Sequence, residues 1–130
     1  CNIYYSMVLW LRDDAYWHQF VHVRSIASGG PDAIARSLYS LNCLSAYGVN
    51  DKVLLMGRAA ADIMLRAFSA FWVNDANLCS CNAEQFLHGL AKGHGLRLRL
   101  VNFADLPHQV VMLRSLGRVA GKTDLCVMQP

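Results

Sequence analysis

The chain has 130 residues, room for one domain with one core. It is 55% hydrophobic and 16% charged, which points to extensive burial, part of it between the subunits of a homo-oligomer. The net charge is +3; the five cysteines, an odd number, cannot complete a disulfide framework within one chain, and the longest apolar stretch, around Ala67–Phe71, is too short and too broken to cross a bilayer.

In chain order, residues 1–18 read as an N-terminal arm or extra strand: "NIYYSMVLWL" is rich in strand formers and "RDD" interrupts it. No basic segment followed by an apolar run of signal-peptide length is seen there. "QFVHVRSIA" (19–27) alternates with period two through Phe20, Val21, Val23 and Ile26, predicting a half-buried strand. Gly29, Gly30 and Pro31 then make a turn, with proline favoured at a first helical position and Asp32 suited to the positive end of a helix dipole. Ile34, Leu38, Leu41 and Leu44 recur at helical spacing and predict a helix that stops at Gly48.

"DKVLLMG" (51–57) is nearly all apolar between turn signals, as in a strand covered on both faces. "RAAADIMLRAFSAFW" (58–72) predicts a helix with Ile63, Met64, Ala67, Phe68 and Phe71 on one side. Asn82 is an N-cap with Gln85 three residues on, opening a helix over 83–92 that ends in "KGHG". "LRLRLV" (96–101) alternates strictly and predicts a strand with an arginine face. Asp105 and Pro107 suggest a further helix through "QVVMLRSLGRV", and "TDLCVM" (123–128) a last strand. Strands alternating with helices predict an α/β domain over 19–130. We expect a three-layer, flavodoxin-like fold of four to five mostly parallel strands with helices on both faces. In such sheets ligands sit beyond the C-terminal strand ends, here Ser28–Pro31, Gly57–Ala59 and Val101–Asp105.

"SGGPDAIARSLYSLNCLSAYGVNDKVLLMGRAA" resembles the first β-α-β unit of the DsrE/DsrF/YchN-like sulfur-relay family, with its small-residue and proline turn, long helix ending in glycine, and strand closing in Met-Gly. "NAEQFLHGLAKGHGLRLRLV" resembles its later helix–strand unit, and "TDLCVM" its last strand. The resemblance implies a small cytoplasmic protein of intracellular sulfur relay, either a persulfide carrier or a cysteine-free partner subunit, meeting sulfur-carrier proteins and needing no cofactor. Family members that carry sulfur place a cysteine at or just after the end of the strand matching Leu96–Val101; here "LRLRLVNFAD" has none.

Two sites follow as candidates. Cys79 and Cys81 form a C-x-C just before a helix start, where a thiolate is favoured and could accept or hand on sulfur. Gly29, Gly30 and Pro31, with Arg58 at the next strand–helix junction, would bind a small anion. The turn is neither GxGxxG nor a P-loop, and glycine there also serves simply to let the chain turn sharply. Residues 92–122 add six basic side chains (Lys92, Arg97, Arg99, Arg114, Arg118, Lys122) against one acid, Asp105, an anion-attracting surface or a solvated polar face. The alternative to sulfur relay is therefore a non-catalytic module binding a nucleotide or RNA. More remotely, "LAKGHG…VNF" is somewhat like the proximal-histidine stretch of globins, with His94 as haem ligand, but "LRLRLV" is strand-like where a globin is helical. No Cys/His group has zinc spacing, so no metal is expected. The reduced thiols fit a cytoplasmic compartment.

Overall fold

The computed structural model describes residues 5–13, 15–17, 19–42, 48–73 and 82–110. It is a mixed α/β fold. Strand β1 (Met7–Leu11) and the short β2 (Ala15–Trp17) open the chain, so the N-terminal segment does supply a strand. Helices α1 (Val23–Ile26) and α2 (Pro31–Ala35) precede β3 (Ser37–Leu41). Then come β4 (Val53–Gly57), α3 (Arg58–Met64), α4 (Ala67–Trp72), α5 (Ala83–Gly93), β5 (Arg97–Val101) and β6 (His108–Val110).

The main sheet has the order β1-β4-β3-β5, and β2 pairs with β6 in a separate ribbon. β1 and β3 both run antiparallel to β4, and β3 runs parallel to β5. The expectation of a mostly parallel sheet is thus corrected. Its source is residues 31–47, read as one helix. Ile34, Leu38 and Leu41 do sit at helical spacing, but the helix ends after Ala35 and, past Arg36, Ser37–Leu41 form a strand buried on both faces. Leu38-Tyr39-Ser40-Leu41 satisfies a strand buried on both faces as well as it satisfies a helical stripe, and periodicity cannot separate the two in so short a run. Tertiary context decides: Arg97 N–H donates to the Arg36 carbonyl (2.9 Å), and the Arg36 guanidinium donates to the His94 carbonyl (2.7 Å). These bonds tie the end of α2 to the start of β5. Among the described residues the helical run to Gly48 is therefore lost; residues 43–47 lie outside them.

Residues 19–27 are also not a strand. Ser25 donates to the His22 carbonyl through both N–H and Oγ (3.0 and 2.7 Å), and Ala27 N–H donates to the Val23 carbonyl. The segment coils into α1, while Phe20 points outward at 93% exposure. β4 already has β1 on one side and β3 on the other, so no inner position remains for a strand from 19–27. The third correction is at 105–110: Leu106 N–H closes a turn on the Asn102 carbonyl, and after Pro107 the chain is extended as β6. A proline at the entry to a short strand costs no ladder bond. The predicted strand at 123–128 lies outside the described residues.

The remaining elements follow the pattern of the sequence. β4 is buried along its whole length. α5 starts at Asn82, whose side-chain oxygen accepts from Gln85 N–H at 2.8 Å. Residues 58–72 are helical with a tight turn at Leu65–Arg66, where Arg66 N–H bonds to the Ile63 carbonyl. One face of the sheet packs Leu38, Leu54 and Met56 against Ala60, Ala61 and Met64 of α3 and Phe86, Leu87 and Leu90 of α5. The other face gathers Tyr39, Leu41 and Leu55 with Ile26 and Leu106. Each fully buried leucine here contributes about 1.5–3 kcal/mol, so the first face, with the larger cluster, is the principal core. The Tyr39 hydroxyl, in the second cluster, is buried with no hydrogen-bond partner among the described residues.

Candidate functional site

Gly57 ends β4 in an extended conformation (φ −65°, ψ 159°), so backbone freedom is not why glycine stands there. Space is the reason: a Cβ at Gly57 would lie 1.9 Å from the Ile34 carbonyl oxygen and 2.7 Å from Ala35 Cα. The missing side chain lets α2 lie directly on the β4–α3 junction. Arg58 N–H donates to the Ser6 carbonyl (3.1 Å), which draws the segment before β1 to the same point. Gly29, by contrast, has φ +121°, a conformation that only glycine adopts without strain, and so allows the chain to turn into α2. Gly30 follows as the N-cap, its carbonyl accepting from Ile34 N–H.

These contacts frame a half-open cavity of about 690 Å³. Its walls are apolar: Met7, Val23, Ala27, Ile34 and Ala35. Its polar groups come from Arg24, Arg58, Tyr5 and Ser6. Two of the four residues expected at an anion site, Pro31 and Arg58, line this cavity together. Gly29 and Gly30 shape the turn beside it and are not part of the lining. Arg58 also pairs with Asp62 one helical turn on (Nε–Oδ1 3.3 Å), both side chains being more than half exposed, so the guanidinium is only loosely held. Arg24, missed from the sequence because 19–27 was read as a strand, makes no ion pair among the described residues. The only signal that could have found it is its position one turn before the Gly29–Pro31 turn.

The expected ligand positions beyond the strand ends do not converge. With β4 antiparallel to its neighbours, the end carrying Gly57 also carries the starts of β1, β3 and β5, whereas Val101–Asp105 lies at the opposite end. Of the basic residues in the last third, Arg97 and Arg99 stand on the far edge strand, three strand spacings or roughly 14 Å from β1, although the Arg97 N–H bonds to the Arg36 carbonyl, next to Ala35 of the cavity wall. Cys79 and Cys81, like Cys1, Cys43 and Cys126, lie outside the described residues. The long helix expected after the proline turn, one of the several elements in the sulfur-relay resemblance, is replaced among the described residues by α2 and β3. His94 caps α5 and is exposed; it leads into β5 rather than into a further helix.

Among the described residues no group of three or more His, Cys, Asp or Glu side chains is placed to hold a metal ion, and no helix is long and apolar enough to cross a membrane. No family model, curated protein or solved structure matches the chain.

Proposed function

We propose that this chain is a non-catalytic binding module for a small molecule with an apolar body and an anionic group, such as a nucleotide. The observation that carries this reading is the convergence of Arg24 and Arg58 on one apolar-walled cavity of about 690 Å³. That volume is within the range of small-molecule sites, roughly 300–1,000 Å³. Guanidinium groups suit planar carboxylate or phosphate oxygens, and the apolar walls reward a ring or alkyl body. Apart from the Arg58–Asp62 pair, no carboxylate, imidazole or thiol lines the cavity beside the arginines among the described residues, which favours binding over acid–base or nucleophilic chemistry.

The test is titration of the folded protein with mononucleotides and with inorganic phosphate, followed by calorimetry. Saturable nucleotide binding that falls about tenfold or more in an Arg24→Gln/Arg58→Gln variant supports the reading. Binding that is absent, or indifferent to both substitutions, refutes it. The sulfur-relay alternative predicts a different result: a gain of one sulfur atom on Cys79 or Cys81 after exposure to a cysteine desulfurase, read by peptide mass. We further propose a homo-oligomer assembled through α4, where Phe68 and Trp72 stack edge-on (6.0 Å between ring centroids) and yet stand 75% and 69% exposed. Sedimentation showing a stable monomer at micromolar concentration would remove that part.

A further inference from the structure

β5 is the outermost strand of the main sheet. It pairs with β3 in parallel register from Ser37 opposite Arg97 to Leu41 opposite Val101. Two bonds fix which of its backbone groups face inward. Arg97 N–H donates to the Arg36 carbonyl at one end, and the Val101 carbonyl accepts from Asn42 N–H (3.1 Å) at the other. Backbone groups alternate in direction along a strand as side chains alternate between faces. With residues 97 and 101 bonded inward, residue 99 is inward too. The N–H and C=O groups of Leu98 and Leu100 therefore point away from β3, along the free edge. Among the described residues no strand pairs with that edge.

The side chains flanking this row are of two kinds. Arg97 and Arg99 share one face, opposite Ser37 and Tyr39, and both are exposed. Neither makes an ion pair among the described residues. Leu98 packs against the principal core, while Leu100, on the same face, is 60% exposed. Lys92, exposed at the end of α5 five residues before the strand, adds positive charge. A second copy of the chain is a poor occupant. A two-fold antiparallel pairing centred on Leu98 or Arg99 sets Arg97 against the copy's Arg99 or Arg99 against its own copy, like charges whose direct opposition is destabilising, and one centred on Leu100 overlaps only three residues of β5.

We propose that the outer edge of β5 takes an extended acidic segment of a partner protein by strand addition. The Leu98 and Leu100 backbone supplies the hydrogen bonds. Arg97 and Arg99 meet carboxylates at alternate positions of the added strand, and Leu100 meets the apolar residues between them. This surface is on the opposite edge of the sheet from β1, and the proposal does not depend on what the cavity holds.

The test uses the full chain and fluorescein-labelled peptides of alternating Glu and Val, the same peptide with Lys for Glu, and the Glu/Val peptide with alternate backbone nitrogens methylated. A single-stranded oligonucleotide of matching charge is the fourth probe. The expected result is saturable binding of the Glu/Val peptide alone, with slower hydrogen exchange at the Leu98 and Leu100 amides when it is bound. An Arg97→Glu/Arg99→Glu variant should lose at least about tenfold in affinity for it and take up the Lys/Val peptide instead. Arg97→Gln/Arg99→Gln gives the same loss without the gain, should the charge-reversed protein fail to fold. Absence of Glu/Val binding, undiminished binding of the methylated peptide, or equal binding of the oligonucleotide overturns the proposal. The last outcome would mark the edge as a basic patch for nucleic acid rather than a strand acceptor.

Discussion

Replacing Gly57 by alanine tests whether the seating of α2 on the β4–α3 junction is what builds the cavity. The new Cβ would lie 1.9 Å from the Ile34 carbonyl oxygen, where Cβ atoms essentially never come within 3.0 Å of a neighbour. The obstacle is backbone on both sides, so no side chain can rotate away. α2 must lift by about 1 Å or more, in an interior packed too densely to absorb that without loss elsewhere. Overpacking of this kind costs about 1–3 kcal/mol, and backbone against backbone falls at the upper end. We therefore expect Gly57→Ala to lose about 3 kcal/mol, a fall in melting temperature on the order of 10 °C for a domain of this size. Gly30→Ala is the control: it has φ −70° and nothing within 4 Å of the added Cβ. It should be neutral or stabilising by about 0.5 kcal/mol through the unfolded state. Urea unfolding followed by far-UV circular dichroism measures both. If Gly57→Ala falls within about 0.5 kcal/mol of wild type, α2 does not rest on β4 as described. Because Ile34 and Ala35 wall the cavity, nucleotide affinity should drop in the same variant even at temperatures where it stays folded.

Asn82→Ala removes the side chain that accepts from Gln85 N–H and should cost about 1 kcal/mol, whereas Asn82→Asp should cost almost nothing; equal losses in the two would deny the cap. Tyr39→Phe removes a buried hydroxyl without a partner among the described residues and should leave stability unchanged or raise it by up to about 1 kcal/mol; a loss larger than that in denaturant melts would mean that the hydroxyl is bonded. Asp62→Asn breaks an exposed ion pair with Arg58 and should change stability by less than about 0.5 kcal/mol. By freeing the guanidinium and removing a nearby negative charge, it should also tighten nucleotide binding, and a weakened complex in calorimetry would count against Arg58 as a ligand-contacting residue.

Where local and tertiary demands coincide, the elements could be read from residues alone. Val53–Gly57 is apolar throughout because both faces are covered, and Asn82 with Gln85 announces a helix start that the hydrogen bond realises. Arg97–Val101 alternates in sequence and is a strand, with Leu98 against the principal core and Arg97 and Arg99 on the exposed side. At 31–41 the demands conflict. Pro31 and Asp32 do begin a helix, but nothing in Ile34, Leu38 and Leu41 says that β4 lacks a neighbour on that side, and the vacancy in the sheet turns Ser37–Leu41 into a strand. That single reassignment changes the sheet from parallel to mixed. It also splits the expected anion site, keeping Pro31 with Arg58 and sending Arg97 and Arg99 to the other edge. Arg24 was invisible for the complementary reason: Val21 and Val23 alternate like a strand, and only the fold shows that the segment lies across a sheet that is already filled.

The sheet order also sets an order of assembly. β3 and β4 pair across about 14–18 residues of chain, a short closure. β1 joins β4, and β5 joins β3, only across about 40–60 residues. The two inner strands can therefore form a hairpin-like nucleus before either outer strand has docked, and the chain should fold slowly for its size, with the outer strands condensing late. What forms last tends to open first. Met7 of the cavity lies on one late strand and the peptide-accepting edge is the other, so both binding surfaces depend on the least persistent part of the sheet. Ligands at either one would act chiefly as brakes on unfolding, each holding shut a different margin of the same nucleus.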